Sequence, residues 1–215
     1  MPAALRTRIK FCGLTRLEDA LEAARLGVDA LGFVLVPGSP RAITAEQARE
    51  LAGALPPWIS VVALFHNAPT EFVRHALQVL RPQLAQFHGE ESAADCAQYG
   101  WPYLKAVAMR SAAPDLADAA RRYAGAQALL LDGHAPGGMG GSGERFDWDA
   151  VASCTKPLIL AGGLHAGNVG VAIRRVRPYA VDVSSGIESA PGIKDSGKME
   201  AFVAAVRSAD HATAV

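Results

Sequence analysis

The chain has 215 residues, half of them apolar, with 21 basic residues balanced by 21 acidic ones. A neutral chain without a basic run offers no electrostatic footprint for nucleic acid or an anionic membrane, and no apolar run reaches the roughly 18 residues that a bilayer span needs. Three cysteines, Cys12, Cys96 and Cys154, are odd in number and lack metal-ligand spacing, which argues for free thiols in a reducing compartment over a disulfide framework or zinc site.

The N-terminal residues enter a strand-like segment almost at once, so no signal peptide is expected and a cytoplasmic location follows. Arg8-Ile9-Lys10-Phe11-Cys12 reads as a strand broken by Gly13. Thr15-Arg16-Leu17-Glu18 has the form of a capping box, with Leu17, Ala20, Leu21 and Ala24 on one helical face and Gly27 as the stop. Residues 28–35 form a second, nearly continuous apolar strand, followed by a loop over 37–41 and a helix capped by Thr44-Ala45-Glu46-Gln47. A third strand over 59–65 precedes a helix with Phe72, Val73, Ala76, Leu77 and Leu80 on one face. The alternation continues through strands at 84–87, 103–108, 128–132, 157–161 and 179–183, with helical segments between them and a weak one around 148–152.

Eight strand-helix units without a gap, their strands apolar with little alternation, predict parallel strands covered by helices. The predicted fold is α/β, a single (β/α)8 TIM barrel occupying residues 1–215 as one catalytic domain, and the length sits near the lower end for that fold. A barrel of this kind places chemistry at the C-terminal ends of its strands and in the loops that follow. The candidates there are Cys12, Ser39 with Arg41, His66 with Asn67, His88, Lys105, Asp132, Gly162-Gly163, Asp182 and Ser184-Ser185-Gly186. Cys12 is the one soft nucleophilic base among them. Asp132 is the one carboxylate that ends a wholly apolar strand.

Several of these segments, taken together, resemble the phosphoribosylanthranilate isomerases. They are Lys10-Phe11-Cys12-Gly13-Leu14-Thr15, Gly32-Phe33-Val34, Ser39-Pro40-Arg41, Gln86-Phe87-His88-Gly89 and Leu130-Leu131-Asp132. Further on come Gly140-Gly141-Ser142-Gly143 with Phe146-Asp147-Trp148, then Ala161-Gly162-Gly163-Leu164, and Val181-Asp182-Val183-Ser184-Ser185-Gly186. They run from Lys10 to Asp195 in order, at the loop positions the barrel reading selects. Phe11 and Phe87 stand where aliphatics are expected, and Gly133 where a hydroxyl residue is common.

The resemblance implies an Amadori rearrangement of N-(5-phosphoribosyl)anthranilate in tryptophan biosynthesis, with Cys12 as general base and Asp132 as general acid. A free thiol titrates near ~8.5, so backbone N–H groups at the mouth are expected to lower Cys12, and burial is expected to raise Asp132. It further implies a phosphate held by Gly162, Gly163, Ser184, Ser185 and Gly186, Arg41 forked onto the anthranilate carboxylate, and His88 orienting the substrate. The iminium intermediate is its own electron sink, so no metal and no organic cofactor is expected. The expected partner is a small phosphorylated substrate, with the chain a monomer or homodimer and the glycine-rich loop 133–145 a candidate lid.

Three rivals stay open. A histidine-pathway isomerase performs the same chemistry on a bis-phosphate but has Asp where Cys12 stands, and a ribulose-phosphate epimerase would want metal-binding histidines. A catalytically silent phosphate-binding barrel is the third. Against the bis-phosphate, the loops after strands three and four read His66-Asn67-Ala68-Pro69 and His88-Gly89-Glu90-Glu91. Pro69 has no N–H to offer, and two glutamates repel a second phosphate.

Overall fold

Strands buried on both faces must divide their side chains between a barrel interior and a surrounding helical layer, and the residues of this chain divide by that rule. The computed structural model describes residues 6–109, 115–133, 146–151 and 154–213. Its strands β1 (Arg8–Cys12), β2 (Ala30–Val34), β3 (Ser60–Phe65), β4 (Leu84–Phe87), β5 (Tyr103–Ala108), β6 (Ala128–Asp132), β7 (Leu158–Leu160) and β8 (Ala180–Val183) close into one barrel in sequence order. Every neighbouring pair is parallel, including β1 with β8. The predicted TIM barrel is the observed fold.

The interior is a small apolar plug of Val62, Leu104, Ala106, Ala128, Leu130, Ile159, Ala161 and Ala180. Alternate residues face outward, where α1 (Leu17–Arg25), α2 (Ala45–Gly53), α3 (Thr70–Leu80), α4 (Ala93–Ala97), α5 (Leu116–Arg122), α6 (Ala166–Val176) and α7 (Ser196–Thr213) cover them. The two unexpected aromatics belong to this outer layer. Phe11 packs edge-on against Phe202 of α7 at 6.1 Å, and Phe87 stacks on Phe65 and Tyr99, each at 5.9 Å. Their bulk fills the strand-helix gap and does not reach the mouth.

Five sequence expectations are corrected. The capping box at Thr15 does not form: Arg16 is the N-cap of α1, and the Thr15 hydroxyl donates to the Gly192 carbonyl at 2.5 Å. The α1 face is also rotated, burying Asp19, Ala20 and Ala23 while Leu17 and Leu21 stay exposed. The box at Thr44 and Gln47 does form. Phe72 of α3 is likewise largely exposed, whereas Val73, Ala76, Leu77 and Leu80 are buried. The weak helix after β6 is a 3-10 turn over Trp148–Ala150.

Lys105 is the fifth. It points out of the barrel, under the helices, with its ammonium on the Gly89 carbonyl at 2.5 Å and Glu91 at 3.3 Å. Of the candidate lid over 133–145, everything after Gly133, including Gly140-Gly141-Ser142-Gly143, lies outside the described residues. Among the described residues no helix is long and apolar enough to cross a membrane.

A hairpin that the sequence reading did not anticipate follows β8. Strands β9 (Glu188–Ala190) and β10 (Ile193–Lys194) pair antiparallel across Pro191-Gly192, with Gly192 at φ 80°. Proline then glycine at positive φ is the pattern of a type II turn. The hairpin folds back over the end of β1. That contact shapes the site.

Candidate active site

Alternation along β1 sends Ile9 and Phe11 into the helical layer, and so puts Lys10 and Cys12 together on the interior face. Lys10 is in register with Asp182 of β8, and its ammonium donates to Asp182 Oδ1 at 2.9 Å in a buried pair. Cys12 is 5% exposed and pairs in register with Gly32 of β2. A Cβ on Gly32 would lie 2.8 Å from Cys12 Sγ and 2.9 Å from Lys10 Nζ, so the glycine is what lets the thiol and the ammonium share this corner. Burial pushes the Cys12 thiol up from its ordinary value, opposed chiefly by Lys10. The expectation that anion-binding N–H groups lower the thiol is therefore corrected. Desolvation of a buried anion outweighs the favourable charges around it.

Cys12 also packs with Val34, Val36 and Leu64, a small apolar patch at the mouth. Beside it stands Arg41, arched over Gly13: a Cβ on Gly13, whose φ is 74°, would come 2.6 Å from Arg41 Cδ. Arg41 donates from Nε and Nη2 to the two oxygens of Glu188, each at 2.8 Å. Of the five N–H bonds of a guanidinium, two are committed there, and the end-on edge remains for another carboxylate. Lys194 completes the cluster. Its ammonium donates to Glu188 Oε1 at 2.8 Å, to the Cys12 carbonyl at 2.6 Å and to the Ser184 carbonyl at 3.2 Å. Burial alone would raise Glu188, but Arg41 and Lys194 together hold it below the usual carboxylate range.

Three strands away, Asp132 ends the apolar β6 and is 7% exposed, the burial its predicted role requires. It meets His88, whose Nε2 lies 3.3 Å from Asp132 Oδ2. The other ring nitrogen, Nδ1, is 3.1 Å from Gln86 Nε2. A ring held in this way can donate from Nε2 to a carboxylate, or accept there from a protonated Asp132 if Gln86 turns its amide. His88 thus contacts the acid candidate itself, where the sequence reading had it orienting the substrate.

The loops after β7 and β8 interlock. Gly162 and Gly163 take φ of 79° and 62°, and a Cβ on Gly162 would strike the Gly133 amide nitrogen and approach Asp132 Oδ1 to 3.1 Å. Gly186 lies so close to the Leu164 carbonyl that no Cβ fits. His165 caps α6 by accepting from the Gly167 N–H, while Asn168 accepts from the His165 N–H and donates to the Gly163 carbonyl at 2.8 Å. Gly186 is therefore brought against the segment that leads from Gly162 and Gly163 into α6, while the Ser184 hydroxyl lies near Gly13.

The loops after β3 and β4 are arranged differently. The Asn67 N–H donates to Glu91 at 2.7 Å and the Glu90 N–H donates to Asn67 Oδ1 at 2.7 Å. Two donors that an anion could use are thus already taken by side chains.

Sequence reasoning singled out Cys12, Arg41 and Asp132 but passed over Lys10, Glu188 and Lys194. The period-2 rule applied to β1 would have paired Lys10 with Cys12. The Pro191-Gly192 dipeptide was the available signal for the hairpin that carries the other two.

The chain matches the family model of N-(5'-phosphoribosyl)anthranilate isomerase over residues 9–205. It is 53% identical over 203 residues to the enzyme of that name from Pseudomonas putida, covering 94% of this chain and 98% of the relative. A crystal structure of phosphoribosyl anthranilate isomerase from Thermus thermophilus superposes with a TM-score of 0.81 at 42% identity, covering 94% and 99%. Another structure of that enzyme, in complex with reduced 1-(o-carboxyphenylamino)-1-deoxyribulose 5-phosphate, gives 0.79 at 34% identity with the same coverage.

Proposed function

The chain belongs to the N-(5'-phosphoribosyl)anthranilate isomerase family, and on that premise we propose that Cys12 is the general base and Asp132 the general acid of its reaction. The protein is an isomerase of tryptophan biosynthesis. The reading of its site is carried by one observation: two proton-carrying groups stand on separate interior strand ends of one mouth, one beside an ammonium and the other beside an imidazole.

Asp132 protonates the furanose oxygen, so the C1–O bond breaks and the ring opens to a protonated Schiff base. Cys12 then takes the C2 proton, and the C–H electrons flow into the C1–C2 bond as the iminium π electrons return to nitrogen. The enolamine then gains a proton at C1 while its C2 hydroxyl loses one, and the ketone forms. The iminium accepts the electrons, so the chemistry requires neither a metal nor an organic cofactor. His88 stands beside Asp132 at 3.3 Å throughout.

Gly162, Gly163, Ser184, Ser185 and Gly186 take the phosphate, supported by backbone N–H groups and the N-terminus of α6. The end-on edge of Arg41 takes the anthranilate carboxylate, and Val34, Val36 and Leu64 offer its ring an apolar wall. All these groups come from one chain, which supports residues 1–215 acting as a single catalytic domain, as a monomer or a homodimer. Three free thiols suit a cytoplasmic setting.

Steady-state turnover of N-(5'-phosphoribosyl)anthranilate, followed through the fluorescence of the anthranilate group, tests the reading. Arg41→Ala should raise KM by roughly ten- to a hundredfold with kcat little changed, since charged hydrogen bonds contribute ~1.5–3 kcal/mol and a clamp that holds ground and transition states alike is uniform binding. The fold should survive, because Glu188 keeps Lys194 as partner. A collapse of kcat at unchanged KM would put Arg41 at the reacting centre instead, and a wild-type chain without turnover would overturn the proposal as a whole.

A further inference from the structure

We propose that Lys10 is a positioning residue that stabilises a thiolate at Cys12, with Asp182 anchoring its ammonium beneath the thiol. This rests on Cys12 being the base and explains how a cysteine in that position can serve as one.

The buried Lys10–Asp182 pair has no obvious use in stability. Taking two charges out of water costs several kcal/mol per ion, and apolar residues of similar volume are commonly as stable or more so. Most of the barrel interior is apolar. The pair instead lies directly under the mouth, with Lys10 two residues before Cys12 on the same strand face and both side chains converging on Gly32. An ammonium has three N–H bonds. One goes to Asp182, and the ammonium shares the Gly32 corner with the thiol.

The charges facing Cys12 come from four elements around it. Lys10 belongs to β1, Asp182 to β8, Arg41 to the loop after β2, and Glu188 and Lys194 to the β9–β10 hairpin. Val34, Val36 and Leu64 from the β2 and β3 side carry none. The set holds three cations (Lys10, Arg41, Lys194) and two carboxylates (Asp182, Glu188), so it is one negative charge short of neutral. Arg41 and Lys194 share Glu188 between them, and Lys194 reaches only the backbone carbonyl of Cys12. Lys10 is the cation that acts most strongly on the thiol. In the free protein a thiolate at Cys12 balances the cluster.

The test is the pH dependence of Cys12 alkylation by iodoacetamide, resolved by peptide mass spectrometry, in wild type and in Lys10→Met. Removing the adjacent cation disfavours the anion, so the alkylation midpoint of Cys12 should rise by about one pH unit or more. At pH 8 the rate should then fall about tenfold or more, while the rate at Cys154 stays unchanged. The acidic limb of the kcat/KM profile should move upward by a similar amount. Lys10→Met leaves Asp182 buried without a partner, so the double variant Lys10→Met/Asp182→Asn provides a neutral, isosteric background. Its Cys12 midpoint should also rise, because the nearer charge of the pair has been removed.

An unchanged Cys12 midpoint in a folded variant would overturn the proposal. Loss of kcat in Cys12→Ser together with an unmoved midpoint leaves the base in place and removes Lys10 from its support. A moved midpoint with normal kcat in Cys12→Ser does the reverse.

Discussion

Cys12→Ser and Asp132→Asn should each lower kcat by at least ~100-fold while the chain stays folded, since a positioned acid or base commonly contributes ~10²–10⁴. Both substitutions are nearly isosteric. Serine at position 12 keeps a small polar group against Lys10 and Gly32, and its hydroxyl is far too weakly acidic to serve as the base. Asparagine at 132 keeps a partner for His88 but has no proton to give the ring oxygen. Purified variants compared by thermal melt and by steady-state turnover make the measurement. A kcat close to wild type in either folded variant would remove the corresponding role.

The second large expectation concerns substrate choice. A bis-phosphate stretched across the mouth needs an anion site in each half of the barrel. The half carrying β7 and β8 offers Gly162, Gly163, Ser184, Ser185 and Gly186. In the other half, the Asn67 N–H is held by Glu91, the Glu90 N–H by Asn67, and the Lys105 ammonium by the Gly89 carbonyl and Glu91. A second phosphate would have to displace those bonds and sit against two carboxylates. Like charges in a poorly solvated site cost several kcal/mol, so kcat/KM for the anthranilate substrate should exceed that for the bis-phosphorylated histidine-pathway intermediate by on the order of ~10³-fold. Both substrates measured under one set of conditions decide it. A ratio within tenfold would mean that the β3 and β4 loops rearrange into an anion site.

The strands were legible because residues such as Leu129, Leu130 and Leu131 are buried on both faces of β6, and a run of that kind has few other uses. Eight of them in series left little choice of fold. The helical faces were less legible. Thr15 carries a capping sequence, but the hairpin carbonyl at Gly192 takes its hydroxyl, and a contact 177 residues away leaves no local trace. The same holds for Asp19 of α1, which accepts from the Lys194 N–H as well as from the Arg16 guanidinium.

At the site, residues that end strands could be picked from the sequence, because a polar group after an apolar run stands out. Those that hold them could not. Glu188 and Lys194 lie five and eleven residues beyond the end of the last barrel strand, and their partners, Arg41 and Cys12, are over 140 residues distant. Lys10 was hidden in plain view, since a charged residue within a strand reads as an edge until the barrel closes around it.

The division of labour between the two proton carriers is tested most directly by a primary isotope effect. The substrate deuterated at C2 is compared with the protiated one in wild type, Cys12→Ser and Asp132→Asn. If Cys12 takes the C2 proton, its loss makes that step rate-limiting, and kcat in Cys12→Ser shows the full primary effect. If Asp132 opens the ring, its loss moves the limiting step ahead of C2–H cleavage, and the effect in Asp132→Asn falls toward unity. The reverse pattern, or a full effect in both variants, would contradict the assignment of base to Cys12 and acid to Asp132.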